Sequence, residues 1–437
     1  MTAEPTSSGH SSRDAASREL DAIELTRPRP PEGLYVHFPF CVSLCPYCDF
    51  VVLAGPAARG PRNHVAPLHA ALLAELDLRS DGVAARFGER RQPLGSVYLG
   101  GGTPSLMTAS QVAAILEAID RRLGIAGHAE VTLEANPGPD DIGDLEGFRA
   151  AGVNRLSVGV QSLQATELRR LGRRHRPADV VDAVRAARDA GLDSISLDLL
   201  TDVPGQTVES WRATLESALA LGPDHLSVYT LTLDDPDREG LTGPDGDHLP
   251  LTRGARAWRE RALPEQSDER AAEMELLTDE LAEAAGLRRY EVANLARPGS
   301  ESRHNLLYWR RRPYLALGPG AHASDGALRR TWNAARLDRY VAALEHGRLP
   351  PGGAENVDEA IARAEAAILG LRLREGIEAE LAAWPAFEAA LSWAHENGLT
   401  ETVEGRVRLT RRGRLLANEL FARLLPDDAD AGGRGAA

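Results

Sequence analysis

The stretch Tyr35-Val-His-Phe-Pro-Phe-Cys-Val-Ser-Leu-Cys-Pro-Tyr-Cys-Asp-Phe50 holds Cys41, Cys45 and Cys48, the only cysteines in the 437-residue chain. A thiol is reactive, so a chain that uses none in its core and three within eight residues is holding something. Spaced Cys-x3-Cys-x2-Cys, three thiolates can occupy three corners of a four-iron cluster and leave one iron open. A structural zinc site needs four ligands, and only His37 lies near enough in sequence to complete one. A redox pair of Cys45 and Cys48 leaves Cys41 without a role and lacks the expected thioredoxin-like context. The open-cornered cluster accounts for all three cysteines, with zinc well below it.

Outward from this stretch the chain repeats a short β-rich run, a loop and an amphipathic helix. Strands are predicted at Leu34 to Phe38, Ser96 to Gly100, Ala129 to Glu134, Arg155 to Val160, Ser194 to Leu200 and His225 to Leu231. Helical spacing of apolar residues marks His64 to Leu78, Ser110 to Leu123, Ala178 to Ala190 and Val208 to Leu221 between them. Thr108 with Gln111 three residues on fits a capping box. Six successive units predict an α/β fold with a parallel sheet. Polar or glycine-rich residues recur at the carboxyl end of strand after strand: the cysteine loop, Gly100-Gly-Gly-Thr-Pro104, Glu134-Ala-Asn-Pro-Gly138, Gln161, Asp198 and Tyr229-Thr230. Such ends converge at one mouth of a barrel, so a partial (βα)6 TIM-like barrel is expected.

Residues 232–257 read as an irregular excursion, Pro264 to Ala285 as a long helix and Tyr290 to Asn294 as strand-like. The expected organisation is a disordered tail over 1–33, a barrel core over 34–260 and a segment over 261–350 packing on the barrel. A smaller, mostly helical, winged-helix-like domain over 351–425 and a loose tail over 426–437 complete it.

Hydrophobic residues at 43% and charged residues at 26% allow an ordinary globular core, and no apolar run is long enough to span a bilayer. The first 33 residues lack the apolar centre of a secretory signal. A cytoplasmic protein is expected, its membrane contact limited to the periphery. The formal charge of -14 opposes nucleic acid as a partner. The chain contains no lysine, which excludes Walker-type phosphate binding and Schiff-base chemistry.

With Tyr47 as the aromatic before the last cysteine, the cysteine motif resembles that of the radical S-adenosylmethionine proteins. The resemblance implies a [4Fe-4S] cluster on Cys41, Cys45 and Cys48 with S-adenosylmethionine chelating the open iron, and an electron donor if that molecule is cleaved. Further residues resemble the group around the oxygen-independent coproporphyrinogen III oxidases. Gly100–Pro104 matches its glycine loop, and Tyr35, Gly101, Gly102, Thr103, Glu134, Gln161, Arg173 and Asp198 match its contacts to S-adenosylmethionine.

Two features separate branches of that group. The oxidases carry a fourth cysteine two positions after the third, where this chain has Phe50. His304-Asn-Leu-Leu-Tyr-Trp309 resembles the His-Asn-x-x-Tyr-Trp motif of the related haem chaperones, and Tyr290–Gly299 and Gly318-Pro-Gly-Ala-His322 resemble them too. The implied function is a haem chaperone, with haem as cargo and haem-accepting proteins such as respiratory haemoproteins as partners. The alternative is an oxidase converting coproporphyrinogen III to protoporphyrinogen IX. His304, Tyr308 and Trp309 are the candidate haem residues, with His322 a second choice. The same three read equally as a turn cap and core filling. Thr201–Gly205 departs from relatives in the loop after the fifth strand.

Overall fold

The computed structural model describes residues 26–58 and 63–426. Six parallel strands lie side by side in chain order: β1 (Gly33–Phe38), β2 (Leu94–Gly101), β3 (Ile125–Ala135), β4 (Arg155–Gln161), β5 (Ser194–Thr201) and β6 (His225–Thr230). Their side chains alternate with a period of two. Leu34, Val36, Val97, Leu99, Leu133, Leu156, Val158, Leu197 and Leu199 are fully buried in one core beneath the covering helices. On the opposite face Tyr98, Glu134, Ser157, Asp198 and Ser227 line the barrel interior.

The helices alternate with these strands as expected, with shifted ends. The first, α1 (Val65–Phe87), continues well past Leu78, and α2 (Ala109–Leu123) begins at the Thr108–Gln111 capping box. Pro177–Asp189 and Val208–Ala220 cover the later strands. The excursion after β6 stays irregular to Thr252 and then forms α3 (Arg253–Ala262). The long helix, α4 (Asp268–Ala284), starts later than Pro264 because Pro264 lies in a 3-10 turn and Ser267 caps the helix at the Arg270 N–H.

The barrel is open. Beyond β6 the sheet continues antiparallel into Asn294–Ala296 and Arg288–Arg289. Beyond β1 it continues through Tyr314–Leu317, His322–Ser324, Arg329–Asn333 and Gly352–Asn356, giving twelve strands. Of the expected strand Tyr290 to Asn294 only Asn294 lies in a strand, the residues before it forming a turn. The Glu291 carboxylate accepts from Ala293 N–H (3.0 Å) and from the Asn294 side chain, folding the segment on itself. Fully buried Glu75 of α1 accepts from Arg79 (2.6 Å), Tyr340 (2.5 Å), Asn333 (2.8 Å) and the Gly318 N–H (2.9 Å), tying the loop before His322 to the barrel wall.

A separate apolar cluster including Ala367, Leu371, Phe387, Leu399, Leu420 and Phe421 forms the core of a C-terminal unit. Its helices, Glu359–Arg372, Glu388–Glu396 and Ala417–Leu424, pack with a three-stranded sheet of Ile377–Glu378, Arg406–Leu409 and Thr400–Val403, in the winged-helix manner expected. Most of the two expected tails lies outside the described residues. The described part of the first corrects that expectation: Arg29 N–H donates to Asp325 O (3.2 Å), Glu32 N–H to Pro313 O (2.9 Å), and Glu32 pairs with Arg312 (2.8 Å).

Candidate functional site

A cavity of about 1140 Å3 opens at the carboxyl ends of the strands. Cys41, Cys45 and Cys48 line it on the loop after β1, all three unpaired and half-buried. Burial pushes the Cys41 thiol up to about 11, against a hydrogen bond from the Thr103 hydroxyl (3.4 Å to Sγ). Burial likewise pushes the Cys48 thiol up to about 12, with Cys45 adding to it. Three soft sulfur donors on one short loop, in a wall that disfavours free thiolates at Cys41 and Cys48, suit a metal cluster that would take the protons' place. His37 supplies no fourth ligand. Its Nδ1 faces the Tyr35 hydroxyl at 2.9 Å and its Nε2 the Val51 carbonyl at 2.9 Å, so both nitrogens are taken.

The cysteine loop is held by a residue that the sequence reading passed over. Buried Arg259 of α3 donates to the carbonyls of Pro46 (3.2 Å), Tyr47 (2.9 Å) and Cys48 (3.1 Å) and pairs with Asp49. One guanidinium thus fixes the path of four consecutive residues. A planar, fixed fork of donors can do this and a single ammonium cannot.

Gly101, Gly102, Glu134, Gln161, Arg173 and Asp198 all line the same cavity as the cysteines. Glu134 accepts from the Tyr98 hydroxyl (2.8 Å) and the Gly101 N–H (2.9 Å), and burial pushes its carboxyl up to about 7. Asp198 is held by Ser157 (3.1 Å) and Ser196 (3.3 Å), and burial raises its pKa too. Gln161 takes φ 66°, a left-handed backbone rare outside glycine, where pairing between β4 and β5 shifts register. Arg173 reaches the Gly159 carbonyl (2.6 Å), the Asn136 side chain and the Cys45 sulfur (3.7 Å), which ties the fourth strand end to the cysteine loop. Tyr98, Asn136, Arg155 and Ser227 also line the cavity. They carry the signal used for the others, polar residues at inward or terminal positions of successive strands.

Two of the eight matched positions stand apart from the cavity. Tyr35 donates its hydroxyl to His37 behind the wall, and Thr103 is buried between Cys41 and the Asn136 amide (2.9 Å).

The haem candidates are placed differently from the expectation. His304 lies under the barrel floor at 1% exposure, with Nδ1 on Ser96 Oγ (2.9 Å) and Nε2 on the Tyr308 hydroxyl (2.8 Å). Its backbone N–H and that of Arg303 cap on buried Glu130 (3.0 and 2.9 Å). Burial lowers its pKa to about 3. Tyr308 stacks edge-on against Tyr314, and Trp309 lies under the Arg372 guanidinium. Neither nitrogen of His304 is free for iron, so the motif is a packed plug, and only its Asn305 reaches the cavity. His322 instead stands on the surface, stacked on Trp332 and bonded to Asp247 (2.8 Å).

An open (βα)6 barrel with three thiols at its strand ends defines a radical S-adenosylmethionine protein, and residues 35–218 match the family model described as Radical SAM superfamily. Residues 359–416 match the HemN C-terminal domain. The chain is 34% identical over 399 residues to the heme chaperone HemW of Mycobacterium tuberculosis, covering 91% of this chain and 96% of that one. It is 36% identical over 352 residues to the HemW of a Synechocystis species, covering 79% of each. The chain belongs to the HemW family. Its fold is that of the solved coproporphyrinogen III oxidase HemN of Escherichia coli, with TM-score 0.73 over 93% of both chains at 21% identity.

Proposed function

We propose that the protein is a haem chaperone that binds haem, a [4Fe-4S] cluster and S-adenosylmethionine and passes haem to acceptor proteins such as respiratory haemoproteins in the cytoplasm. The observation that carries the proposal is the HemW likeness over nine-tenths of the chain. Phe50, 69% exposed where the oxidases resembled by the sequence have a further cysteine, supports the carrier reading over the oxidase.

Cys41, Cys45 and Cys48 would hold the cluster, and its open iron would take the amino and carboxylate groups of S-adenosylmethionine. When bound, the cluster would supply an electron to the sulfonium if an electron donor reduces it. The chain's own part is positioning. Arg259 fixes the loop, Arg173 offers a guanidinium suited to a carboxylate, and Glu134 and Asp198 offer carboxylates suited to hydroxyl or ammonium groups.

The test is anaerobic reconstitution followed by haem titration of wild type and Cys41→Ser. Saturable haem binding with a Soret band, and loss of the iron-sulfur absorption in the variant, are expected. Absence of saturable haem binding in wild type sinks the proposal. Conversion of coproporphyrinogen III to protoporphyrinogen IX by the same preparation would replace it with the oxidase reading.

A further inference from the structure

With His304 sealed beneath the barrel, a haem carrier needs an accessible ligand elsewhere. Asp247 offers the arrangement for one. Its Oδ1 accepts from His248 Nδ1 (3.0 Å) and its Oδ2 from His322 Nε2 (2.8 Å), so one carboxylate holds two imidazoles. Histidines that bind metals almost always donate the other ring N–H to such a carboxylate, which fixes the tautomer and raises the basicity of the free nitrogen. In His248 that free nitrogen is Nε2, for which no partner is found among the described residues. The side chain is 30% exposed.

An aromatic ring lies against the other imidazole held by Asp247. Trp332 stacks on His322 with ring centroids 5.9 Å apart at 22°. Phe50, 69% exposed, follows Asp49, whose charge acts on His248, precedes Val51 in the chain and lines the thiol cavity. Val51 closes on the Asp247 backbone: a Cβ on Gly320 would meet Val51 Cγ2 at 2.5 Å and the Asp247 carbonyl at 3.0 Å, and Gly320 holds φ +71°. The Gly318–His322 segment is thereby explained as the frame that sets His322 and Asp247 against the cysteine loop.

We propose that haem docks on this outer face, with His248 Nε2 as its iron ligand and Asp247 as the positioning residue. The site rests on the haem-carrier reading. Binding uses the Nε2 lone pair while Nδ1 keeps its proton on Asp247, and no group changes oxidation state. An open face also suits a cargo that must leave intact.

The experiment is titration of the full chain with ferric haem, read by Soret absorption and resonance Raman, for wild type, His248→Ala, His248→Cys, Asp247→Asn and His304→Ala. The expected result is loss of the ligated Soret band in His248→Ala and a thiolate-type spectrum in His248→Cys. Asp247→Asn should weaken binding about 10-fold or more, as second-layer partners of metal-bound histidines do. His304→Ala should keep the wild-type spectrum. Wild type and His248→Ala titrating alike with the same spectrum, or a spectral loss in His304→Ala alone, would overturn the site and leave the carrier reading standing. Absence of saturable binding in wild type would overturn both.

Discussion

Glu134 illustrates what a single side chain of the cavity contributes. Burial pushes its carboxyl up to about 7 from an ordinary 4.5, although Tyr98 and the Gly101 N–H both favour its ionised form. Between those values the folded protein keeps a proton that the unfolded chain has lost, so stability falls as pH rises through the window. Glu134→Gln removes that titration. Urea denaturation of apoprotein at about pH 5 and about pH 7 should show wild type losing stability relative to the variant at the higher pH; a difference that does not change with pH would count against it. Glu134 and Gln161 were legible in the sequence because they stand at strand ends and the cysteines because they follow one, whereas Asp198, expected at a strand end, lies inside β5. His304 was misplaced because spacing along a chain carries no information on depth. It bonds to Ser96, near the start of β2, and caps on Glu130, partway along β3, so it lies at the end of the barrel opposite the thiols. Arg259 gave no signal at all, since it acts through backbone carbonyls more than two hundred residues away.

Strands and helices were legible where one face is apolar and the other is not, which is why β1 to β6 fall within a residue or two of expectation at most of their ends. The sheet's outer strands were not, being short and specified by pairing with neighbours already in place. At this scale α3 matters beyond its ten residues, because it delivers Arg259 to the cysteine loop. Arg259→Ala should leave three carbonyls and Asp49 without their common donor, and the loop would lose its fixed path. Iron content after anaerobic reconstitution should fall and bleaching in air should quicken, while circular dichroism stays near wild type. Equal iron retention in both proteins would refute the clamp. On the other side of the barrel, Glu75→Ala removes a buried carboxylate from four donors, one of them the Arg79 guanidinium. Losing one partner of a buried charged pair costs about 3–5 kcal/mol, and the chemical denaturation midpoint should drop accordingly.

At the scale of the whole molecule the C-terminal unit is more than an appendage, because Arg414, Leu415, Leu416, Asn418 and Glu419 form part of the wall of the cavity that holds the thiols. One of its attachments to the barrel runs through a buried carboxylate, beside others such as Arg372 with Glu291 and Arg311 with Glu365. Asp279 of α4 pairs with Arg289 at 2.7 Å and with Arg414 of the C-terminal unit, while Glu275 pairs with Arg289 at 3.1 Å. Of the arginines around 406–414, Arg411 and Arg414 pair with Asp279 of the barrel side, while Arg406 and Arg408 pair with Glu378 and Glu401 of the C-terminal unit itself. Asp279→Ala would leave two guanidiniums facing each other at the seam. Amide exchange should then rise across Glu359–Leu424 while the strands β1 to β6 stay protected, and the reconstituted cluster should be lost faster in air because the wall beside it loosens. If exchange in the C-terminal unit stayed at the wild-type level, the seam would owe its stability to apolar packing around Val292 and not to this carboxylate.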